Sequence, residues 1–245
     1  MAPKVPEFSV KSFAELHGVL ARYAKARWLF RGHSDASWSL LPKVGRPPFA
    51  GVKEEPIFSS WKRRAVELLA SSPADDWDWL SIAQHHGLAT RLLDWTNNPL
   101  AAAFFAVEPA HQTDAHVYAF FPKWLVSRER VTNPLEYQGV TMFRPSAVAR
   151  RISHQSGLFT VHGPPTVPLQ EALQEGERLE RIVIAASYRE QLQFDLDQYG
   201  VSRHSLFPDL DGLSAYVNWY MEHRQYWREP DGEGTPDAGA GVVAI

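Results

Sequence analysis

Ser81-Ile-Ala-Gln-His-His-Gly-Leu-Ala-Thr-Arg-Leu-Leu-Asp-Trp-Thr-Asn-Asn-Pro-Leu-Ala-Ala-Ala-Phe-Phe-Ala-Val107 sets a polar and ionisable run, Gln84 to Thr96, between two apolar helical patterns. Burying so many hydrogen-bonding groups beside a core is costly unless each finds a partner. Such a segment is either a tight structural network or a site, and both readings stay open here. Gln84 to Gly87 is predicted to end a helix, with Gly87 just past its last turn. Leu88 to Thr96 is expected to form a strand. Asn97-Asn98-Pro99 predicts a helix start, a capping Asn followed by Pro at the first position. The Ala-rich run 100–107 is its closely packed body.

Working outward, Ser12-Phe-Ala-Glu15 reads as a capping box, and Phe13, Leu16, Leu20 and Tyr23 follow at helical spacing. Trp28-Leu29-Phe30 predicts a short strand that Gly32 ends. Residues 34–51 read as loop. A second helix is predicted over about 53–71 and a third from near Asp76 to His86. Three strands are predicted later, His116–Phe121, Leu158–His162 and Arg181–Ala186. Ser187-Tyr-Arg-Glu190 reads as another capping box, with its helix ending at Gly200. A last helix follows Pro208-Asp209, capped by Asp209 or Asp211, with Leu213, Tyr216, Val217 and Tyr220 on one face. The expectation is one mixed α+β domain, residues 1–228, with helices dominating the first half and strands the second. Residues 229–245, rich in Gly, Pro and acids, read as a tail.

The bulk numbers narrow the function classes. Of 245 residues, 44% are hydrophobic and nine are tryptophan, enough for a sizeable core. The net charge is −3, so no global basic field announces nucleic acid, although a local basic groove is compatible with it. Cysteine is absent, which excludes disulfides, thiol nucleophiles and Cys-ligated zinc. No apolar run approaches the roughly 20 residues of a membrane span, and no basic start precedes an apolar block. A cytoplasmic protein with no membrane partner is the expectation.

Several chemistries are set aside by their missing motifs. There is no Gly-x-Ser-x-Gly elbow and no Gly-rich phosphate loop. His85 and His86 are adjacent, so on a helix they point about 100° apart rather than at one ion; no metal is expected. Arg31 follows an apolar strand and suits a bidentate grip on phosphate or carboxylate, or else an internal ion pair with Asp94. Arg91 and Asp94 could pair at i, i+3. Asp94 with Thr96 equally suits orienting a sugar or a water. Gln155, at a strand start, carries both donors and acceptors. Arg27, Arg31, Arg46, Arg63, Arg64 and Arg91, set among aromatics, suit a nucleic-acid or nucleotide binding module without catalysis.

Taken together, Trp28-Leu-Phe-Arg-Gly-His33, Trp38-Ser-Leu-Leu-Pro42, Ala83-Gln-His-His-Gly-Leu-Ala-Thr-Arg-Leu-Leu-Asp-Trp-Thr96, Gln155-Ser-Gly-Leu-Phe159 and Leu206-Phe-Pro-Asp-Leu-Asp-Gly212 resemble the FRG-domain family of bacterial proteins. Phe30-Arg31-Gly32 is the motif that gives that family its name. The block is in turn similar to the first motif of Arg-type ADP-ribosyltransferases, where an aromatic-Arg-Gly strand end holds NAD. Thr96 and the Ala-rich helix after it resemble the second motif. Gln155 stands in the chain order where the third motif puts a Glu, and Glu180 is a less favoured candidate for that place.

The resemblance implies helices packed on a split antiparallel sheet of the ADP-ribosyltransferase type. It implies an enzyme that cleaves the glycosidic bond of NAD and passes ADP-ribose to a nucleic acid, nucleotide or protein. A toxin or phage-defence role follows from the same resemblance, with a neutralising partner protein. On this reading Arg31, Asp94, Thr96 and Gln155 are catalytic, with Gln155 able to hydrogen-bond the ribose but not to act as a base. Gly32, His33, His85, Thr90, Arg91, Trp95 and Phe159, with Arg31, line the NAD site.

Overall fold

A computed structural model describes residues 5–24, 27–108, 111–146 and 157–223. Among these residues seven strands form one open sheet: β1 (Glu7–Val10), β2 (Leu29–His33), β3 (Leu92–Thr96), β4 (Ala115–Phe121), β5 (Gly139–Phe143), β6 (Gly157–Gly163) and β7 (Arg178–Ile184). Their spatial order is β1-β7-β4-β2-β3-β6-β5. Among the described residues seven helices accompany them: α1 (Phe13–Leu20), α2 (Glu54–Ala65), α3 (Asp76–His85), α4 (Pro99–Val107), α5 (Arg189–Gln198), α6 (Arg203–Leu206) and α7 (Leu210–His223).

The helix starts follow from local chemistry. Ser12 accepts from the Glu15 N–H, and the Glu15 carboxylate takes the Lys11 N–H. The Asn98 carboxamide oxygen accepts from the Leu100 and Ala101 N–H groups ahead of α4. Asp209 accepts from Gly212 N–H at the head of α7. Gly87, at φ +85°, turns the chain out of α3. Ser187 does not head a capping box; it lies in a short 3₁₀ turn, Ala186–Tyr188, and α5 starts after it without a side-chain cap.

The sheet departs from the expectation in three ways. It is mixed, because β1 runs parallel to β7 while the other registered pairs are antiparallel. The expected split into separate sheets is not present. The sheet stays continuous, but β2 and β3 share a single registered pair, Phe30 with Thr96, before they part. Two helices were expected after the last strand; among the described residues three follow it, α5, α7 and the short α6 between them. The expected strand Leu88–Thr96 is trimmed to Leu92–Thr96, since Thr90 and Arg91 are held by side-chain and loop contacts instead.

Three cores result. Phe30, Val117, Ala119, Ile182 and Ile184 pack under α4 and α5, where Ala101, Ala102, Ala103 and Ala106 keep α4 close to the strands. Leu29, Leu93, Trp95, Tyr118 and Phe120 form a second core. Leu92, Phe143, Phe159 and Val161 form the third with Trp77, Leu80 and Phe58 from α2 and α3. Asp94 stands exposed on β3 between buried neighbours on both sides. Among the described residues no helix is long and apolar enough to cross a membrane.

Candidate functional site

Where β2 and β3 part, the Arg31 side chain spans the gap. Its Nη1 donates to the Asp94 carbonyl oxygen at 2.8 Å and lies 3.5 Å from the Asp94 Oδ2. Its Nε donates to His33 Nε2 at 3.2 Å. The internal ion pair read from the sequence is therefore present, with Arg31 19% and Asp94 56% exposed at the side chain, so the carboxylate still faces solvent.

Asp94 is held from its other side by α3. Gln84 Nε2 donates to the same Oδ2 at 2.8 Å, and Gln84 Oε1 accepts from the Thr90 hydroxyl at 2.6 Å. The Thr90 hydroxyl oxygen in turn accepts from the Leu92 N–H. Thr90 thus orients Gln84, and Gln84 orients Asp94. Among the described residues both side-chain bonds to the carboxylate fall on Oδ2, and Oδ1 takes none. Lys43 Nζ donates to the Gly87 carbonyl at 2.8 Å and Val44 N–H to that of Thr90, which clamps the 43–45 turn onto the same segment.

That turn carries a second cation toward the gap. Arg46 lies close enough to lower the pKa of both Arg31 and His33. Burial is the larger cause of the Arg31 shift, and Asp94 opposes it; a guanidinium stays protonated throughout. An open hollow of about 530 Å³ continues past Arg46, with Lys43, Phe49 and the exposed ring of Trp38 on its walls and no acid.

Residues 26–115 match the family model described as the FRG domain. The chain contains an FRG domain. The matched segment runs from β2 through α4 and so includes Arg31, Gln84 and Asp94. No curated protein and no solved structure matches the chain.

The FRG domain brings only part of the expected site together. Arg31, Asp94 and His33 meet directly, and Thr90 reaches Asp94 through Gln84. Arg91 does not pair with Asp94 or line the gap. It is buried, with Nε at 3.1 Å and Nη2 at 2.5 Å from the two carboxylate oxygens of Glu54. Trp95 and Phe159 are 2% and 4% exposed; Trp95 packs on Phe120, and Phe159 stacks on Phe143. Neither ring face is open to a ligand in this conformation.

Thr96 is buried beside Phe30, and its hydroxyl oxygen accepts from the Asn98 N–H. His85 sits half-buried against His86 at the end of α3. Glu180 belongs to β7, two strands away from β2, where it accepts from the Tyr23 hydroxyl at 3.0 Å; it is not at the gap. Gln155 lies outside the described residues. Gln84 and Lys43 went unread as site residues. Gln84 is at a helix end, and only the folded chain carries it to Asp94.

Gly32 does not end β2, which runs on to His33. A Cβ at position 32 would lie 2.1 Å from the Ala102 carbonyl oxygen and 2.6 Å from the Ala106 nitrogen. Glycine is needed there so that α4 can lie on β2, which fixes Arg31 on the opposite side of the strand.

Two buried histidines near Arg31 make the domain acid-sensitive. Burial, with the Arg31 charge next, lowers the His33 pKa to about 3. His33 is therefore neutral and accepts from Arg31 through Nε2. Burial and the same Arg31 charge hold His162 at about 3. In the core Trp95 Nε1 donates to Thr160 Oγ1, and that hydroxyl lies 2.9 Å from His162 Nε2. Both folded values lie below the unfolded value of about 6.5, so the unfolded chain takes up the extra protons as pH falls. Stability is complete above about pH 6.5 and is lost as pH drops toward 3. At pH 5 each histidine is expected to cost about 2 kcal/mol. Urea midpoints measured at pH 7 and pH 5 check this, and His162→Asn should flatten the difference.

Proposed function

We propose that the gap between β2 and β3 binds NAD and that the protein transfers ADP-ribose from it. The reading rests on one observation: Arg31 is fixed at the parting of the strands, bonded to a solvent-facing Asp94 carboxylate and flanked by Arg46. Two guanidinium groups suit the diphosphate of a dinucleotide. The nicotinamide–ribose bond breaks heterolytically, its electron pair leaving on the nicotinamide nitrogen, and positive charge develops on the ribose. A carboxylate held in place by Gln84 before the reaction stabilises that charge without reorganising. The acceptor then adds its electron pair to the ribose carbon and gives up a proton; if the acceptor is water, ADP-ribose and nicotinamide are the products.

Purified protein incubated with NAD and with protein, RNA, DNA or nucleotide acceptors should release nicotinamide and give an adduct of corresponding mass. Asp94→Asn is expected to lower kcat by about 100-fold or more, with the fold intact by circular dichroism. Arg31→Ala should act mainly through KM for NAD. Absence of nicotinamide release with every acceptor class overturns the catalytic reading.

A second reading has its own observation, the hollow walled by Lys43, Arg46, Trp38 and Phe49 with no acid among its lining residues. Cations and open rings of this kind suit a nucleotide or a single nucleic-acid strand without chemistry. Salt-dependent binding of an oligonucleotide, unaccompanied by nicotinamide release, would favour it.

A further inference from the structure

A second hollow gathers positive charge at the other end of β2 from Arg46. It measures about 230 Å³ and opens where β2 begins, β3 ends and β6 begins, with Leu29, Asn97 and Leu158 in its wall. Arg31 lies further along β2, and Trp38 sits past the end of that strand, against His33. The hollow is therefore a different place from the gap at Asp94.

Three cations line it, Arg27, Lys123 and Arg144, and no acid does. Among the described residues none of the three is ion-paired, and the side chains of Arg27 and Arg144 make no hydrogen bond. Lys123 is held in place without a counter-charge: its Nζ donates to the Glu175 carbonyl at 3.3 Å and lies 5.1 Å from the centre of the Trp124 ring. Leu29, Met142 and Leu158 make the remaining wall largely apolar. Charges of one sign over a low-dielectric wall focus their field into the hollow and draw in an anion.

The backbone adds an independent observation. Arg27 stands at φ +103°, and among the described residues it is the one non-glycine residue with a positive φ. Strained residues of this kind cluster at ligand clamps. Here the strain falls on one of the three cations.

The charge count selects the anion. A phosphodiester brings one negative charge, whereas a phosphate monoester brings about two at neutral pH. Two guanidinium groups and an ammonium suit the monoester, whose oxygens can accept from all three. Trp124, 51% exposed, offers an indole ring to a base beside them. The hollow is smaller than the usual site for a drug-sized ligand, which favours a mononucleotide over a dinucleotide such as NAD.

We infer that this hollow binds a nucleoside monophosphate, with its phosphate monoester among Arg27, Lys123 and Arg144 and its base against Trp124. The 5′-phosphate end of a nucleic-acid strand carries the same chemistry, and the test separates the two sources. Calorimetric titration of the full chain with AMP should show saturable binding that adenosine lacks. Arg144→Gln should weaken it about tenfold or more. Trp124→Ala should weaken AMP binding but leave that of inorganic phosphate unchanged.

Arg27→Gly removes a charge and the backbone strain together. It should weaken AMP binding about tenfold while melting at or above the temperature of the parent. An Arg27 that served only the fold would instead leave AMP binding unchanged. Arg31→Ala should bind AMP as the parent does, so loss of NAD turnover and loss of this site are read separately. A 5′-phosphorylated oligonucleotide that binds more tightly than AMP, with the same loss in Arg144→Gln, assigns the site to strand ends; weaker binding assigns it to free nucleotides. Binding by neither phosphorylated probe, equal binding of adenosine and AMP, or binding untouched by Arg144→Gln and Arg27→Gly overturns the inference.

Discussion

Replacing Gly32 by alanine is expected to cost at least about 3 kcal/mol and to leave little native protein at 37 °C. The added methyl would sit 2.1 Å from the Ala102 carbonyl oxygen and 2.6 Å from the Ala106 nitrogen, and both are backbone atoms of α4. No side chain can rotate away to relieve that overlap. Either α4 lifts off β2, opening the core of Phe30, Ala102 and Ala106, or the strand bends and carries Arg31 away from Asp94.

Gly18→Ala serves as the control. Gly18 is exposed on α1 with nothing within 4 Å of a built Cβ, so alanine there should stabilise by up to about 1 kcal/mol. Thermal unfolding of the two variants beside the parent decides the matter; a Gly32→Ala protein that melts within a degree or two of the parent would contradict the close seating of α4.

The second large effect is expected at Glu54. Its carboxylate takes two hydrogen bonds from Arg91, and the two side chains are 12% and 9% exposed. Glu54→Ala strands the Arg91 guanidinium beside the core of Phe58, Leu80 and Leu92 and is expected to cost about 3–5 kcal/mol. Much of that loss is the burden of an unpaired buried charge rather than the worth of the pair. The double variant Glu54→Leu, Arg91→Met should therefore recover most of the stability. Urea unfolding of Glu54→Leu, Arg91→Met and the double gives the coupling directly; purely additive losses would show that the pair is not coupled. A loosened α2 should leave the Arg31–Asp94 bond in place, since α3 and the 43–45 turn secure that part of the site independently.

Much of the architecture was legible because it is dictated locally. Ser12, Asn98 and Asp209 cap the helices they precede, since each oxygen needs only N–H groups two or three residues onward. Gly87 leaves α3 through a backbone conformation that other residues resist. The apolar runs of β4 and β6 announce strands by composition. The Arg31–Asp94 pair was readable too, as one of two alternatives, because a cation at a strand end and a carboxylate in an apolar strand both need partners.

The edge strands were not legible. Glu7-Phe-Ser-Val10 is four residues long and becomes a strand only by adding, in parallel, to β7, some 170 residues away. Gly139–Phe143 becomes one only against β6. The same limit governs the site. The segment 81–107 contains Gln84, Arg91 and Asp94, and its composition alone required that each be satisfied. It could not say that Arg91 turns inward to Glu54 while Asp94 stays exposed, or that Gln84 rather than Arg91 grips the carboxylate. Nor could it say that Gly32 is a seat for α4 rather than a stop. Caps and periodicity are interactions between near neighbours, so the order of residues determines them. Which side of the sheet a charge meets, and which distant partner it finds, depends on how strands far apart in the chain are ordered, and only the folded chain decides that.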